Sequence, residues 1–127
     1  MQYNNLQKIS ASIRLDILDA IGCAKKGHIG GAFSSVEIMT ALFHSGILKY
    51  DPTMPDWSER DIFILSKGHA GIVLYATLAS VGFFEKEQLM KLNQEQLLGE
   101  HPDRRIPGVE IDSGSLGHGL GIATGLA

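Results

Sequence analysis

Three short turns rich in glycine and histidine, each followed by a helical pattern, limit most strongly what this chain can fold into. They are Gly27-His28-Ile29-Gly30-Gly31, Ser66-Lys67-Gly68-His69 and Gly114-Ser115-Leu116-Gly117-His118-Gly119. Glycine ahead of a helix lets a ligand approach bare backbone N–H groups, where the aligned peptide dipoles favour an anion such as phosphate. A histidine beside such a turn adds a neutral donor, acceptor or proton carrier near pH 7. Three of these turns in one small unit point to a phosphorylated cofactor surrounded by acid–base groups.

The segments between the turns follow readable periods. Leu6, Ile9, Ile13, Ile17, Leu18 and Ile21 recur at three- and four-residue steps, so an amphipathic helix is expected from Asn5 to Lys26, stopped by Gly27. Ser34-Ser35-Val36-Glu37 fits a capping box opening a second helix, with Val36, Met39, Leu42 and Phe43 on one face and Gly46 at its end. Asp51 to Trp57 is a proline-punctuated loop. Ile62-Phe63-Ile64-Leu65 is a continuous apolar run and predicts a strand buried on both faces. It leads through the second turn into a helix from Ala70 to Val81. Strand, glycine turn and helix in that order place ligands at the carboxyl end of a sheet in α/β proteins. A charged helix is expected from Glu85 to Leu92, a loop from Gln94 to Gly108, a short strand at Val109-Glu110-Ile111, and a last helix from the third turn to Ala127. The expected class is therefore α/β, a helix-rich parallel sheet flanked by helices. That last helix is still running at Ala127, and the sheet shows only two strands. Residues 1–127 are thus expected to be one incomplete domain, with an open strand edge and an exposed apolar face.

Composition removes several classes of function. A net charge of −3, with Lys25-Lys26 and Arg104-Arg105 as isolated pairs, gives no electrostatic case for nucleic acid. No apolar run approaches the roughly 20 residues that span a bilayer. The polar start Met1-Gln2-Tyr3-Asn4-Asn5 is unlike a secretory signal, so a cytoplasmic protein without membrane partners is expected. The single cysteine, Cys23, rules out an intrachain disulfide and is expected to be a small packed residue.

The histidines His28, His69, His101 and His118 lie far apart in sequence, without the close pairs typical of a zinc site, so no metal site is expected from them. His44, beside Phe43, is expected at the surface or boundary, and Asp103-Arg104-Arg105 in a solvated loop. Gly117, Gly119, Gly121 and Gly125 have the wrong spacing for a dinucleotide fingerprint, and no acidic ribose-binding residue follows them. Close helix packing explains that tract as well as phosphate binding does.

These motifs, taken in order, resemble the N-terminal part of a transketolase, most closely the forms made as two separate subunits. The likeness runs from about Arg14 to Ala127. It rests on Gly27-His28-Ile29-Gly30-Gly31, on Asp51-Pro52 with Pro55-Asp56-Trp57 and Arg60-Asp61, and on Phe63-Ile64-Leu65-Ser66-Lys67-Gly68-His69. His101-Pro102-Asp103, Pro107-Gly108-Val109-Glu110 and Gly114-Ser115-Leu116-Gly117 complete it. The resemblance implies a thiamine-diphosphate-binding domain that serves transfer of a two-carbon ketol unit from a ketose, or its phosphate, to an aldose. By the same resemblance His69 would contact the diphosphate, and Gly114, Ser115 and Leu116 would offer backbone contacts to the cofactor. His28 and His101 would bind the sugar and assist proton transfer, and His118, where many relatives carry glutamine, would line the pocket. Ile29 stands where the family commonly has proline, which alters rigidity after His28 and leaves the imidazole.

The family's magnesium motif and its activating glutamate would lie outside this chain. Activity would then require the remaining domains or a C-terminal partner subunit, in a homo- or hetero-oligomer. Three other readings stay open at this point: a transketolase-like subunit for an unusual ketose or nucleotide sugar, a non-catalytic remnant or assembly module, and a nucleotide-binding module. Ser66-Lys67-Gly68-His69-Ala70 argues against the related deoxyxylulose-phosphate synthases.

Overall fold

The first helix, α1 (Gln2–Ala24), forms because its apolar residues share one stripe: Ile13, Ile17, Ala20 and Ile21 are buried on it. A computed structural model describes residues 2–94 and 98–127. Burial of Ile13 and Ile17 contributes about 2–3 kcal/mol each. The helix ends one turn before its expected glycine stop, because Lys25 itself adopts the left-handed conformation, φ +56°. Gly27 serves another purpose: a Cβ there would lie 2.8 Å from Ile21 Cγ1, so the chain can cross closely over α1.

Two helices follow where one was expected. α2 (Ile29–Phe33) is a short helix directly after His28, and α3 (Val36–His44) comes after a two-residue break. The expected capping box does not form. The hydroxyls of Ser34 and Ser35 both turn back and donate to the Gly31 carbonyl, at 3.1 and 3.3 Å. Serine hydroxyls readily satisfy such local carbonyls in place of capping. α3 packs on α1 through a buried Ser10–Thr40 hydroxyl pair (3.0 Å) and an Arg14–Glu37 ion pair (2.5 Å).

α4 (Gly71–Ser80) is the axis of the core. Every residue from Gly71 to Ala79 is buried, so it is apolar all round, and it touches α1, α2 and α3. A 3₁₀ turn at Gly68–Ala70 leads into it. The charged segment expected as a helix at 85–92 is instead a 3₁₀ run over Lys86–Lys91, anchored to α1 by Leu89 and by a Lys86–Asp16 ion pair of 2.7 Å. Cys23 is exposed, not packed, with Sγ 3.8 Å from Met90 Sδ.

The helix-rich half of the expected α/β architecture is present, and the described residues form no sheet. Among the described residues there is no strand. Residues 61–65 carry no regular structure, and Ile62 is 46% exposed where burial on both faces was expected. A strand is a property of a pair, and among the described residues no second strand lies beside this segment. Val109 is buried, but its N–H closes a turn onto the Ile106 carbonyl (3.0 Å). The last helix, α5 (His118–Leu126), lies against Ile64 and Ser66 through Gly119 and leaves Leu120 and Leu126 exposed. Of the expected 94–108 loop, residues 95–97 lie outside the described residues, and the remainder carries no regular structure.

Candidate functional site

The second turn is the hub. The segment 61–65 leads to Ser66, and the chain then tightens through Gly68–Ala70 into α4. Gly68 is buried because another main chain lies on it: a Cβ there would sit 2.8 Å from Gly114 N and from the Ser113 carbonyl carbon. Hydrogen bonds join the same two segments. Gly117 N–H donates to the Ser66 carbonyl (3.0 Å), Gly119 N–H donates to Ser66 Oγ (3.1 Å), and Ser113 Oγ donates to the Leu65 carbonyl (3.3 Å). Gly117, at φ +85°, makes the left-handed bend that opens α5.

The first turn meets this hub edge-on. The His28 and His69 rings are 5.5 Å apart between centroids at an interplanar angle of 83°. Gly31 faces both His69 and Lys67, and a Cβ there would be 3.6 Å from His69 Cδ2 and from Lys67 Cε. Lys67 ties the turns together by donating from Nζ to the Gly31 carbonyl and to Ser34 Oγ, each at 2.9 Å. A charged donor on a carbonyl is among the stronger neutral-acceptor contacts.

His101 lies within residues 98–117, which carry no helix or strand. Tyr75 Oη donates to its carbonyl at 2.5 Å, and burial pushes the Tyr75 phenol above its usual range. Gly71 lets this segment approach α4, since a Cβ there would be 2.8 Å from the Glu100 carbonyl oxygen and 3.1 Å from Pro102 Cδ. Ser113 N–H donates to the Pro102 carbonyl at 3.3 Å. The imidazole of His101 is exposed beside Gly114, its Cδ2 3.9 Å from where a Cβ on that glycine would lie. Glu100 pairs with Lys26 at 2.9 Å. Its carboxyl is held below the usual range first by that Lys26 hydrogen bond, with His28 and His101 adding to the effect.

Four of the expected site residues are therefore brought together: His28 against His69, and His101 beside Gly114. Ser115, Leu116 and His118 occupy the same turn as Gly114, exposed, with Leu116 73% accessible. Among the described residues no ring contact joins His118 to the other imidazoles. His44 is half-buried at the boundary, its Nε2 2.8 Å from Ser80 Oγ, and burial lowers its pKa. Asp103 pairs with Arg105 in an exposed loop. No three His, Cys, Asp or Glu side chains converge as a metal site among the described residues.

Sequence reading missed the residues that hold the histidines. Lys67 stood inside a quoted motif without a role, and Tyr75 was lost in an apolar helix. Lys26 and Glu100 carry opposite charges beside His28 and His101, which is the one signal that could have paired them. The Arg60–Glu110 pair was also unforeseen: Nε–Oε1 is 2.9 Å and Nη2–Oε2 2.7 Å, a bidentate clasp across fifty residues.

Glycine turns at helix openings, bordered by imidazoles and a pinned lysine, define a class of domain suited to holding a phosphorylated group. The particular family follows from comparison: the sequence model described as "Transketolase, thiamine diphosphate binding domain" matches residues 5–127. The chain belongs to this family. It is similar to an apulose-4-phosphate transketolase subunit from Phocaeicola vulgatus, 38% identical over all of this chain and 45% of that protein. It is also similar to the 6-deoxy-6-sulfo-D-fructose transketolase subunit SqwG of a Clostridium species, 43% identical over 99% of this chain and 46% of that protein. The fold superposes on the transketolase from Leishmania mexicana with a TM-score of 0.89 and 32% identity, over 95% of this chain and 18% of that one. The chain thus spans less than half the length of these curated relatives. No described helix is long and apolar enough to cross a membrane.

Proposed function

We propose that this chain is the N-terminal portion, or N-terminal subunit, of a thiamine-diphosphate-dependent transketolase that moves a two-carbon ketol unit from a ketose, or its phosphate, to an aldose. The observation that carries the reading is the meeting of His28 and His69, with Gly31 beside His69 and Lys67 fastening the two turns. The bare backbone of Gly31 lies beside the His69 imidazole and the Lys67 side chain, where an added Cβ would be 3.6 Å from each, and a neutral imidazole next to a charged lysine suits a diphosphate.

In this reading His69 holds the diphosphate, and the exposed backbone at Gly114, Ser115 and Leu116 contacts the cofactor. Thiamine diphosphate supplies the stabilised carbanion on which ketol transfer depends. The chain's own work is to bind, orient and move protons. His28 and His101 bind sugar hydroxyls, and each takes a proton from a hydroxyl or returns one, which imidazole does in both directions near pH 7. His118 lines the same turn. Magnesium is expected as the diphosphate's counter-ion, with its ligands and the activating glutamate outside residues 1–127. The partner is the C-terminal transketolase subunit or the remaining domains, in a homo- or hetero-oligomer. In the complete domain, residues 62–65 would be a strand of a parallel sheet whose neighbours cover Ile62, Leu120 and Leu126.

The test is calorimetric titration of thiamine diphosphate with magnesium into the complex of this chain with its C-terminal partner, and into the chain alone. Binding is expected in the complex, weakened about tenfold or more by His69→Ala. A folded complex that takes up no cofactor would overturn the proposal.

A further inference from the structure

We propose that Tyr75 is a positioning residue for His101: its buried hydroxyl exists to fix the main chain that carries the imidazole. The inference rests on the transketolase reading and deepens it. Tyr75 is fully buried in a helix whose neighbouring positions are apolar, where phenylalanine would fill the same volume without a polar atom to satisfy. Its hydroxyl reaches a carbonyl at 2.5 Å, twenty-six residues away, within residues 98–117, which carry no helix or strand to set their course.

The geometry around that bond is specific to three consecutive residues. The Glu100 carbonyl rests in the space left by the missing side chain of Gly71, the His101 carbonyl accepts from Tyr75, and the Pro102 carbonyl accepts from Ser113 N–H. Gly71 and Tyr75 are one helical turn apart on α4, so both reach the segment from the same face. The backbone is held from behind at each position while the imidazole stays exposed beside Gly114. Proton transfer tolerates little misplacement of such a group, and a support of this kind supplies precision without touching substrate.

The experiment compares wild type, Tyr75→Phe, Gly71→Ala and His101→Ala, each in the complex with the C-terminal partner. Ketol transfer is measured across pH, and histidine-labelled protein gives the imidazole NMR signals, with His101→Ala identifying the His101 peak. Tyr75→Phe is expected to shift the His101 peak and leave the His118 peak in place. It is expected to lower kcat/KM about tenfold, to displace the pH limb that His101→Ala abolishes, and to bind thiamine diphosphate as wild type does. Gly71→Ala, which presses on the Glu100 carbonyl, is expected to move the same peak. A Tyr75→Phe complex with reduced melting temperature alone, and with the His101 signal and pH profile of wild type, overturns the proposal. Wild-type activity that His101→Ala leaves intact would instead overturn the role given to His101. An unmoved His101 peak in Tyr75→Phe refutes the positioning claim whether or not the complex transfers ketol units.

Discussion

Adding one methyl group at Gly68 should pull apart the two turns on which the site is built. The Cβ of alanine would lie 2.8 Å from Gly114 N, 2.8 Å from the Ser113 carbonyl carbon and 2.9 Å from the Ser113 oxygen. These are main-chain atoms, so no side chain can rotate away, and one segment must shift. Gly68 does not occupy the left-handed region, so the effect is one of space and not of backbone strain. Overpacking of this sort costs about 1–3 kcal/mol. The displaced segment also carries the bonds from Gly117 and Gly119 to Ser66, each contributing about 1 kcal/mol. With both bonds lost, Gly68→Ala should therefore destabilise by about 3–5 kcal/mol, lowering the melting temperature by about 12–20 °C for a chain of this size. The assay is thermal unfolding followed by circular dichroism, with Gly30→Ala as control. Gly30 lies within α2 with nothing within 4 Å of its would-be Cβ, so alanine there should be neutral or stabilising by up to about 1 kcal/mol. A Gly68→Ala protein melting within about 3 °C of wild type would refute the argument that this contact is unyielding.

Gly31→Ala should separate stability from binding. Its Cβ makes ordinary contacts at 3.6 Å with His69 and Lys67 and improves the propensity of α2, so the fold should hold or gain up to about 1 kcal/mol. Thiamine diphosphate affinity, read by calorimetry in the complex, should fall about tenfold, and unchanged affinity would place the cofactor away from Gly31. Acid stability should depend on Asp103. Its carboxyl is lowered to about 2, first by the Arg105 side-chain hydrogen bond, then by the Arg105 backbone N–H and the charges of Arg105 and Arg104. A depressed carboxylate contributes stability that is complete above its unfolded pKa of 3.8 and is lost as pH falls toward 2. Asp103→Asn should flatten the fall in denaturant midpoint across that window, and an unaltered slope would remove Asp103 from the account.

Local periodicity was enough to reveal α1 and α3, because their apolar residues repeat at the spacing a helix turns, while α4 and α5 were announced by the glycine turns that open them. The glycine turns were legible for the same reason: they interrupt the pattern at its ends. Reading failed where a residue's partner decides its structure. The capping box at Ser34 and Ser35 had the right letters, yet both hydroxyls found the Gly31 carbonyl one turn back. The apolar run Ile62–Leu65 has the composition of a strand, but hydrogen-bonded pairing requires a neighbour that local sequence cannot supply.

By itself, then, the sequence determined the kinds of turn, the histidines at their tips and the family to which their order belongs, because these depend on residues adjacent in the chain. Only the tertiary structure decided that His28 faces His69 at 5.5 Å, that Lys67 fastens Gly31 and Ser34, and that Tyr75 reaches the His101 carbonyl. Such contacts join residues tens of positions apart. They exist because α4 is buried on every side and fixes where each loop must cross it, a constraint set by packing and not by any local preference.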